Sequence, residues 1–254
     1  LAGEGLQHQD GHSQVFAQFI PNCVSYDPTF AYELAVIIQD GLRRMFQEQE
    51  NIFYYLTTLN ENYHHPAMPE GAREGILKGM YLFKAGEGDG PRVQLLGCGA
   101  ILREVIVAAD LLAQDFGVVA EIWATPGINE LARDGNDATR WNLLHPDQTP
   151  RLPYVSACLE GHPGPVVAAT DYIRLYAEQL RPFIPRPYLV LGTDGYGRSD
   201  TRAQLRRHFE VNSHYIVLAA LKLLADEGAV PVTKVLEAIE KYGIDADKPN
   251  PLTV

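Results

Sequence analysis

Three groups of residues in this 254-residue chain carry side chains that could do chemistry. His8, Asp10 and His12 set two imidazoles around a carboxylate, donor types suited to a metal ion or to proton transfer. Metal ligation needs a rigid element that converges all three on one ion. The glycine-rich stretch that carries them is irregular, so it reads as loop with no metal site. Gly97-Cys98-Gly99 falls between a strand pattern and a helix pattern, where a dinucleotide-binding loop would lie. That fingerprint wants a third glycine three residues on, and Leu102 stands there instead, which leaves a tight strand-to-helix turn. The most distinctive string is Gly192-Thr193-Asp194-Gly195-Tyr196-Gly197-Arg198-Ser199-Asp200. Its three glycines and two aspartates let the backbone turn sharply, and the favoured reading is a loop that positions the next helix. His64 and His65 precede Pro66, and His145 and His162 also precede prolines; all four read as turn residues.

The elements that must position these groups alternate between two periods. Asp27 and Pro28 predict a capped helix start, followed by Phe30, Leu34, Ile37, Ile38, Met45 and Phe46 near one stripe. Residues 52–59, rich in aromatic and β-favouring types, predict a strand. Two prolines and a glycine in 60–71 predict a loop and a domain boundary near residue 70. Beyond it, 93–96 predicts a strand entering a helix that lines Ile101, Val105, Ala108 and Leu112 on one face and stops at Gly117. Strands follow at 118–123, 165–169 and 188–191. Strands alternating with helices imply a mostly parallel sheet covered on both faces. Two helices close the chain. Ser213 is placed to cap the first, apolar almost all round over 216–224; the second runs from Pro231 to Gly243, with Val232, Val235, Leu236 and Ile239 on one face.

Bulk properties narrow the function. With 46% hydrophobic residues the chain can build a real core, as one large domain or two smaller ones. Acidic residues number 32 against 21 basic ones, and the net charge of −11 with no basic stripe argues against nucleic acid as a partner. No apolar run reaches the roughly 18 residues of a membrane span, and no signal peptide opens the chain. Cys23, Cys98 and Cys158 are widely spaced and odd in number, which reads as reduced thiols of a cytoplasmic protein. The first residue is Leu1, not methionine, and the opening reads as loop, as expected of a piece of a longer protein.

Several longer strings resemble one family. Gly3-Glu4-Gly5-Leu6-Gln7-His8-Gln9-Asp10-Gly11-His12-Ser13, Ile20-Pro21-Asn22-Cys23 and Ser25-Tyr26-Asp27-Pro28 are similar to homodimeric pyruvate dehydrogenases. So are Thr58-Leu59-Asn60-Glu61-Asn62-Tyr63-His64, Glu130-Leu131-Ala132-Arg133-Asp134-Gly135, Arg140-Trp141-Asn142, the 192–200 string and His208-Phe209-Glu210-Val211. The resemblance runs through essentially the whole chain. It implies the decarboxylating first component of the pyruvate dehydrogenase complex, within the transketolase-like group. The implied fold is α/β: residues 1–70 end the middle, aminopyrimidine-binding domain, and 71–254 form a transketolase-like C-terminal domain with a mostly parallel sheet covered by helices.

The resemblance implies thiamine diphosphate and magnesium as cofactors of the full-length enzyme, with none held tightly by this chain alone. The family's metal ligands and its activating glutamate fall outside the sequence. Gly88-Asp89-Gly90 has the opening of the family's diphosphate motif, but Asp115, Phe116 and Gly117 stand where its asparagine pair belongs, so the match is accidental. One catalytic position is matched: His8 corresponds to the histidine beside the cofactor's reactive carbon, where a donor steadies charge developing on the substrate's carbonyl oxygen. Glu4 matches an acidic substrate contact of transketolases. The implied partners are pyruvate, the lipoyl domain of dihydrolipoyl acetyltransferase, and a second copy of the protein. Gln9, where an acidic residue is as common, and the second histidine of His64-His65 depart from the family. An alternative is a non-catalytic dimerisation or assembly domain of such an enzyme. A free-standing nucleotide-binding domain is disfavoured by the broken glycine fingerprint.

Overall fold

Val93, Leu95 and Leu96 are at most 2% exposed although they point alternately to opposite sides of one strand, so that strand must be covered on both faces. The computed structural model, which describes residues 8–254, shows how. Strands β1 (Cys23–Tyr26) and β2 (Phe53–Leu56) form a two-stranded parallel sheet, joined through helix α2 (Ala31–Leu42) and a π-helical turn, Arg43–Gln47. Helix α1 (Ser13–Gln18) precedes them. The second sheet has the order β3-β5-β4-β6-β7, built from Tyr81–Lys84, Val119–Ala124, Arg92–Gly97, Val166–Ala169 and Tyr188–Leu191. Four of its strands are parallel, and β3 runs antiparallel along the edge beside β5.

Helices α4 (Leu102–Phe116), α9 (Ser213–Asp226) and α10 (Thr233–Lys241) cover one face. On α4, Leu102, Val105, Ala108 and Leu112 are fully buried, as their spacing predicts. Each buried leucine or valine stabilises the fold by about 2 kcal/mol. Gly117 then adopts a left-handed φ of 66° and ends the helix. The other face is covered by α5 (Ile128–Leu144), α6 (Tyr154–Leu159) and the short α7 (Leu175–Glu178), which pack Leu131, Val155, Leu159 and Tyr176 against Leu96, Trp123 and Val166. Helix α3 (Ala72–Lys78) links the two sheets, and α8 (Arg202–His208) leads into α9. No helix among the described residues is long and apolar enough to cross a membrane.

Several sequence expectations shift in detail. Helix α2 starts at Ala31 and not directly after Asp27. The N–H groups just ahead of it are met by Glu33, whose carboxylate accepts from Thr29 N (2.5 Å) and Phe30 N (2.8 Å). That stripe also splits: Phe30 and Ile37 are buried, while Ile38 and Phe46 are exposed. The expected strand at 52–59 contracts to β2. Asn212, not Ser213, caps α9 by accepting from Tyr215 N (3.1 Å). On α10, Val235 and Ala238 are buried, whereas Val232 and Leu236 face outward.

Candidate functional site

The carboxyl ends of β1, β4, β6 and β7 lie together; the first three are followed by short turns and β7 by the loop 192–201. Parallel α/β sheets offer their functional crevices at such ends. From the loop after β7, Thr193 N donates to Tyr172 O (2.8 Å) and the Thr193 hydroxyl donates to Asp171 O (2.9 Å), which ties it to the loop after β6. Arg174 donates through Nε to Asp194 Oδ2 (2.8 Å) across the same junction.

The segment that carries His8 crosses these two loops. Ile173 N donates to Gly11 O (3.0 Å). Gln9 pairs with the backbone of Arg198 in both senses: its Oε1 accepts from Arg198 N (2.7 Å) and its Nε2 donates to Arg198 O. Gly197 leaves room for that pairing, because a Cβ there would collide with the Gln9 carboxamide. Asp10 turns the other way. Its Oδ1 accepts from His12 N (3.0 Å) and Ser13 N (2.9 Å), and its Oδ2 accepts from the Ser13 hydroxyl. Asp10 therefore caps α1, with both carboxylate oxygens engaged there and not with His8 and His12 around an ion. Among the described residues no three His, Cys, Asp or Glu side chains converge as a metal site. His8 itself is exposed at the start of this anchored stretch. Glu4 lies outside the described residues.

Below this surface lies a buried polar cluster that sequence reasoning misplaced. Asp27, expected to cap α2, is 3% exposed and accepts from the Thr57 hydroxyl (2.6 Å). Its main chain accepts from Gly99 N (3.1 Å), and the Thr29 hydroxyl donates to Gly99 O (2.9 Å). Burial pushes the Asp27 carboxyl up to about 7, although hydrogen bonds from Thr57 and Cys98 pull the other way. Burial likewise raises the Cys98 thiol, and the Asp27 carboxylate beside it adds to the effect. Gly99 has a φ of 48° and no space for a side chain, because the Asp27 carboxylate fills it. The turn at Gly97-Cys98-Gly99 thus packs against a carboxylate of its own chain at the place where a dinucleotide-binding loop would admit a phosphate.

Three of the other histidines have structural partners. His65 Nδ1 accepts from Ala31 N (3.0 Å) and its ring stacks on Tyr63 at 4.6 Å. His145 stacks on Trp141 at 4.5 Å. His162 bonds Glu121 (2.7 Å), which also holds Arg92 (3.2 Å). The 192–200 loop ends at Thr201, whose hydroxyl caps α8 by accepting from Gln204 N (3.4 Å). Gln9, Thr57 and Asp27 are the residues that local sequence signals did not single out for these tasks. Their partners Arg198, Asp27 and Gly99 lie 189, 30 and 72 positions away, beyond the reach of any periodicity.

The sequence matches two family models. One is described as the pyruvate dehydrogenase E1 component middle domain and matches residues 1–66; the other is the transketolase-like TK C-terminal domain and matches 79–212. The chain is 61% identical over 256 residues to the pyruvate dehydrogenase E1 component of Cupriavidus necator, covering 100% of this chain and 29% of that protein. The corresponding component of Pseudomonas aeruginosa is 59% identical, with 99% and 29% covered, and that of Escherichia coli K12 is 56% identical, with 99% and 28% covered. The chain therefore spans less than a third of the length of these relatives. Among solved structures, transketolase from Leishmania mexicana superposes with a TM-score of 0.61 at 16% identity, covering 99% of this chain and 30% of that one. A split-gene transketolase described as an inactive β4 tetramer gives 0.54 at 16% identity, with 88% and 64% covered. At that identity the likeness is one of fold.

Proposed function

The chain belongs to the transketolase-like C-terminal domain family, and on that premise we propose that it is part of the first, decarboxylating component of a pyruvate dehydrogenase complex. The identity to three bacterial pyruvate dehydrogenase components over 99% or more of the chain carries this reading. In the whole protein, residues 1–70 would end the middle domain and 71–254 would form the C-terminal domain. The whole enzyme would decarboxylate pyruvate and pass the acetyl group, reductively, to the lipoyl group of dihydrolipoyl acetyltransferase.

Thiamine diphosphate, when bound, supplies the carbanion chemistry and the electron sink. The described residues offer one group that fits beside its reactive end, the exposed imidazole of His8, and no set suited to the diphosphate and magnesium. No tight binding of the cofactor by this chain alone is expected. His8 would donate a hydrogen bond to the substrate's 2-oxo oxygen as negative charge grows there. The bonds made by Gln9, Asp10 and Gly11 directly after it suit that task, because a donor held in place stabilises charge without reorganising. Glu4 is assigned a weaker role as a substrate contact.

Homodimerisation of the parent protein is consistent with Phe16, Phe19 and Ile20, apolar side chains 62%, 71% and 42% exposed on and just after α1. A reducing, cytoplasmic setting is consistent with three free thiols.

A second reading, a non-catalytic assembly domain, is favoured by one observation: the buried Gln94 and the Glu104–Arg206 pair, both within residues 71–254, bond partners inside the fold. The fold-related split-gene transketolase, described as inactive, fits the expectation that this chain alone turns over no pyruvate. The test is His8→Ala in the whole protein. Pyruvate decarboxylation should drop about a hundredfold or more, and wild-type turnover in that variant would reject the catalytic assignment in favour of the assembly reading.

A further inference from the structure

We propose that Gln9 is a positioning residue for His8, and that through it the loop after β7 sets the place of the candidate catalytic imidazole. This deepens, and rests on, the reading of His8 given above.

The three residues after His8 are each tied to a different partner. Asp10 holds the start of α1 through His12 N and Ser13 N (3.0 and 2.9 Å). Gly11 O is held by Ile173 N in the loop after β6 (3.0 Å). Gln9 alone reaches the loop after β7, and its primary carboxamide matches a peptide unit: the oxygen takes Arg198 N–H (2.7 Å) and the nitrogen gives to Arg198 O. Two opposed bonds to one residue fix the carboxamide in plane as well as in distance, which a single bond would not do. Gly197, lacking a Cβ, is what lets the carboxamide lie flat on that backbone.

The loop has its own supports, so it can act as the fixed side of the clamp. Arg174 holds Asp194 (2.8 Å), and Thr193 is bonded through both its N–H and its hydroxyl to the loop after β6. His8 is joined to Gln9 by one peptide bond, so an error in the Gln9 backbone passes undamped to the imidazole. A displacement of about 1 Å in a group that polarises a reacting oxygen costs up to a hundredfold in rate.

The experiment uses the whole protein, with Gln9→Ala, Gln9→Glu, Gly197→Ala and His8→Ala compared for pyruvate decarboxylation and for thermal midpoint. Gln9→Ala should lower kcat about tenfold while KM for pyruvate and the thermal midpoint stay near wild type. Gln9→Glu keeps the acceptor for Arg198 N–H and loses the donor, and should recover part of that loss. Gly197→Ala displaces the carboxamide with Gln9 present and should reproduce the kcat defect. Wild-type kcat in Gln9→Ala, or a kcat that falls only together with the thermal midpoint, would overturn the proposal. If His8→Ala is inactive while the Gln9 and Gly197 variants match wild type, the clamp is wrong and the role of His8 stands. If His8→Ala keeps full turnover, the catalytic reading itself has failed and the clamp falls with it.

Discussion

The carboxylate of Asp27 occupies the space that a side chain on Gly99 would need. The contact joins the end of β1 to the turn after β4, so one residue from each sheet fixes how the two sheets meet. Gly99 also holds a left-handed φ of 48°, which any other residue would adopt at a cost.

Gly99→Ala should therefore destabilise the protein twice over, once through backbone strain and once through collision with Asp27. The expected loss is about 3 kcal/mol in urea unfolding. A midpoint equal to wild type would show that the junction is looser than the structure depicts.

The same carboxylate makes stability depend on pH. Burial raises its folded-state value from the ordinary 3.8 to about 7. The folded state then holds its proton more tightly than the unfolded state. Asp27 contributes fully below about pH 4, and that contribution is lost as pH rises toward 7. The loss should be on the order of 4 kcal/mol. Asp27→Asn, neutral at every pH, should flatten this part of the stability profile. Parallel profiles for wild type and variant between pH 4 and 8 would sink the assignment.

Glu104 bridges three helices. From α4 it bonds the Arg206 guanidinium on α8 (2.9 Å) and accepts from Ser213 N at the start of α9 (2.9 Å). Arg206 is 8% exposed, so removing its partner strands a buried charge and an N-terminal N–H together. Glu104→Ala should cost about 3 kcal/mol. Glu104→Gln, which retains an acceptor and loses the charge, should fall between. If Glu104→Gln unfolds at the wild-type midpoint, charge pairing contributes nothing here.

Gln94 is fully buried in β4 and satisfies two groups at once. Its Oε1 accepts from Trp123 Nε1 (2.8 Å) and its Nε2 donates to Pro163 O (2.8 Å). Gln94→Leu keeps the volume and leaves both partners unpaired, at a cost of about 2–4 kcal/mol by thermal or urea unfolding. A stabilised leucine variant would mean that packing outweighs the two hydrogen bonds.

Local encoding explains what the sequence disclosed. The strand at Tyr188–Leu191 appears at its expected residues, and β4, β5 and β6 lie within a residue or two of theirs. Their apolar runs and flanking turn residues act over a few positions, the range on which strand and helix periods are set. The end of α4 at Gly117 was legible for the same reason, since a left-handed cap depends on one residue. The long strings that resemble pyruvate dehydrogenases carried the fold class, and with it the expectation at His8.

Tertiary structure decided the rest, because each remaining feature joins residues that only the folded chain brings together. Nothing local marks β3 as the antiparallel edge of a parallel sheet, since a short apolar strand pairs in either direction until its neighbours are fixed. Asp27 has the local signature of a helix cap. It gave up that task because Glu33 bonds the backbone N–H groups of Thr29 and Phe30 at the helix start, which left its carboxylate for the junction with Gly99. Gln9 stood in the sequence only as a departure from a family pattern. Its pairing with Arg198 spans 189 positions, and a hydrogen bond at that separation exists only once the loops after β6 and β7 have been carried across the sheet to meet it.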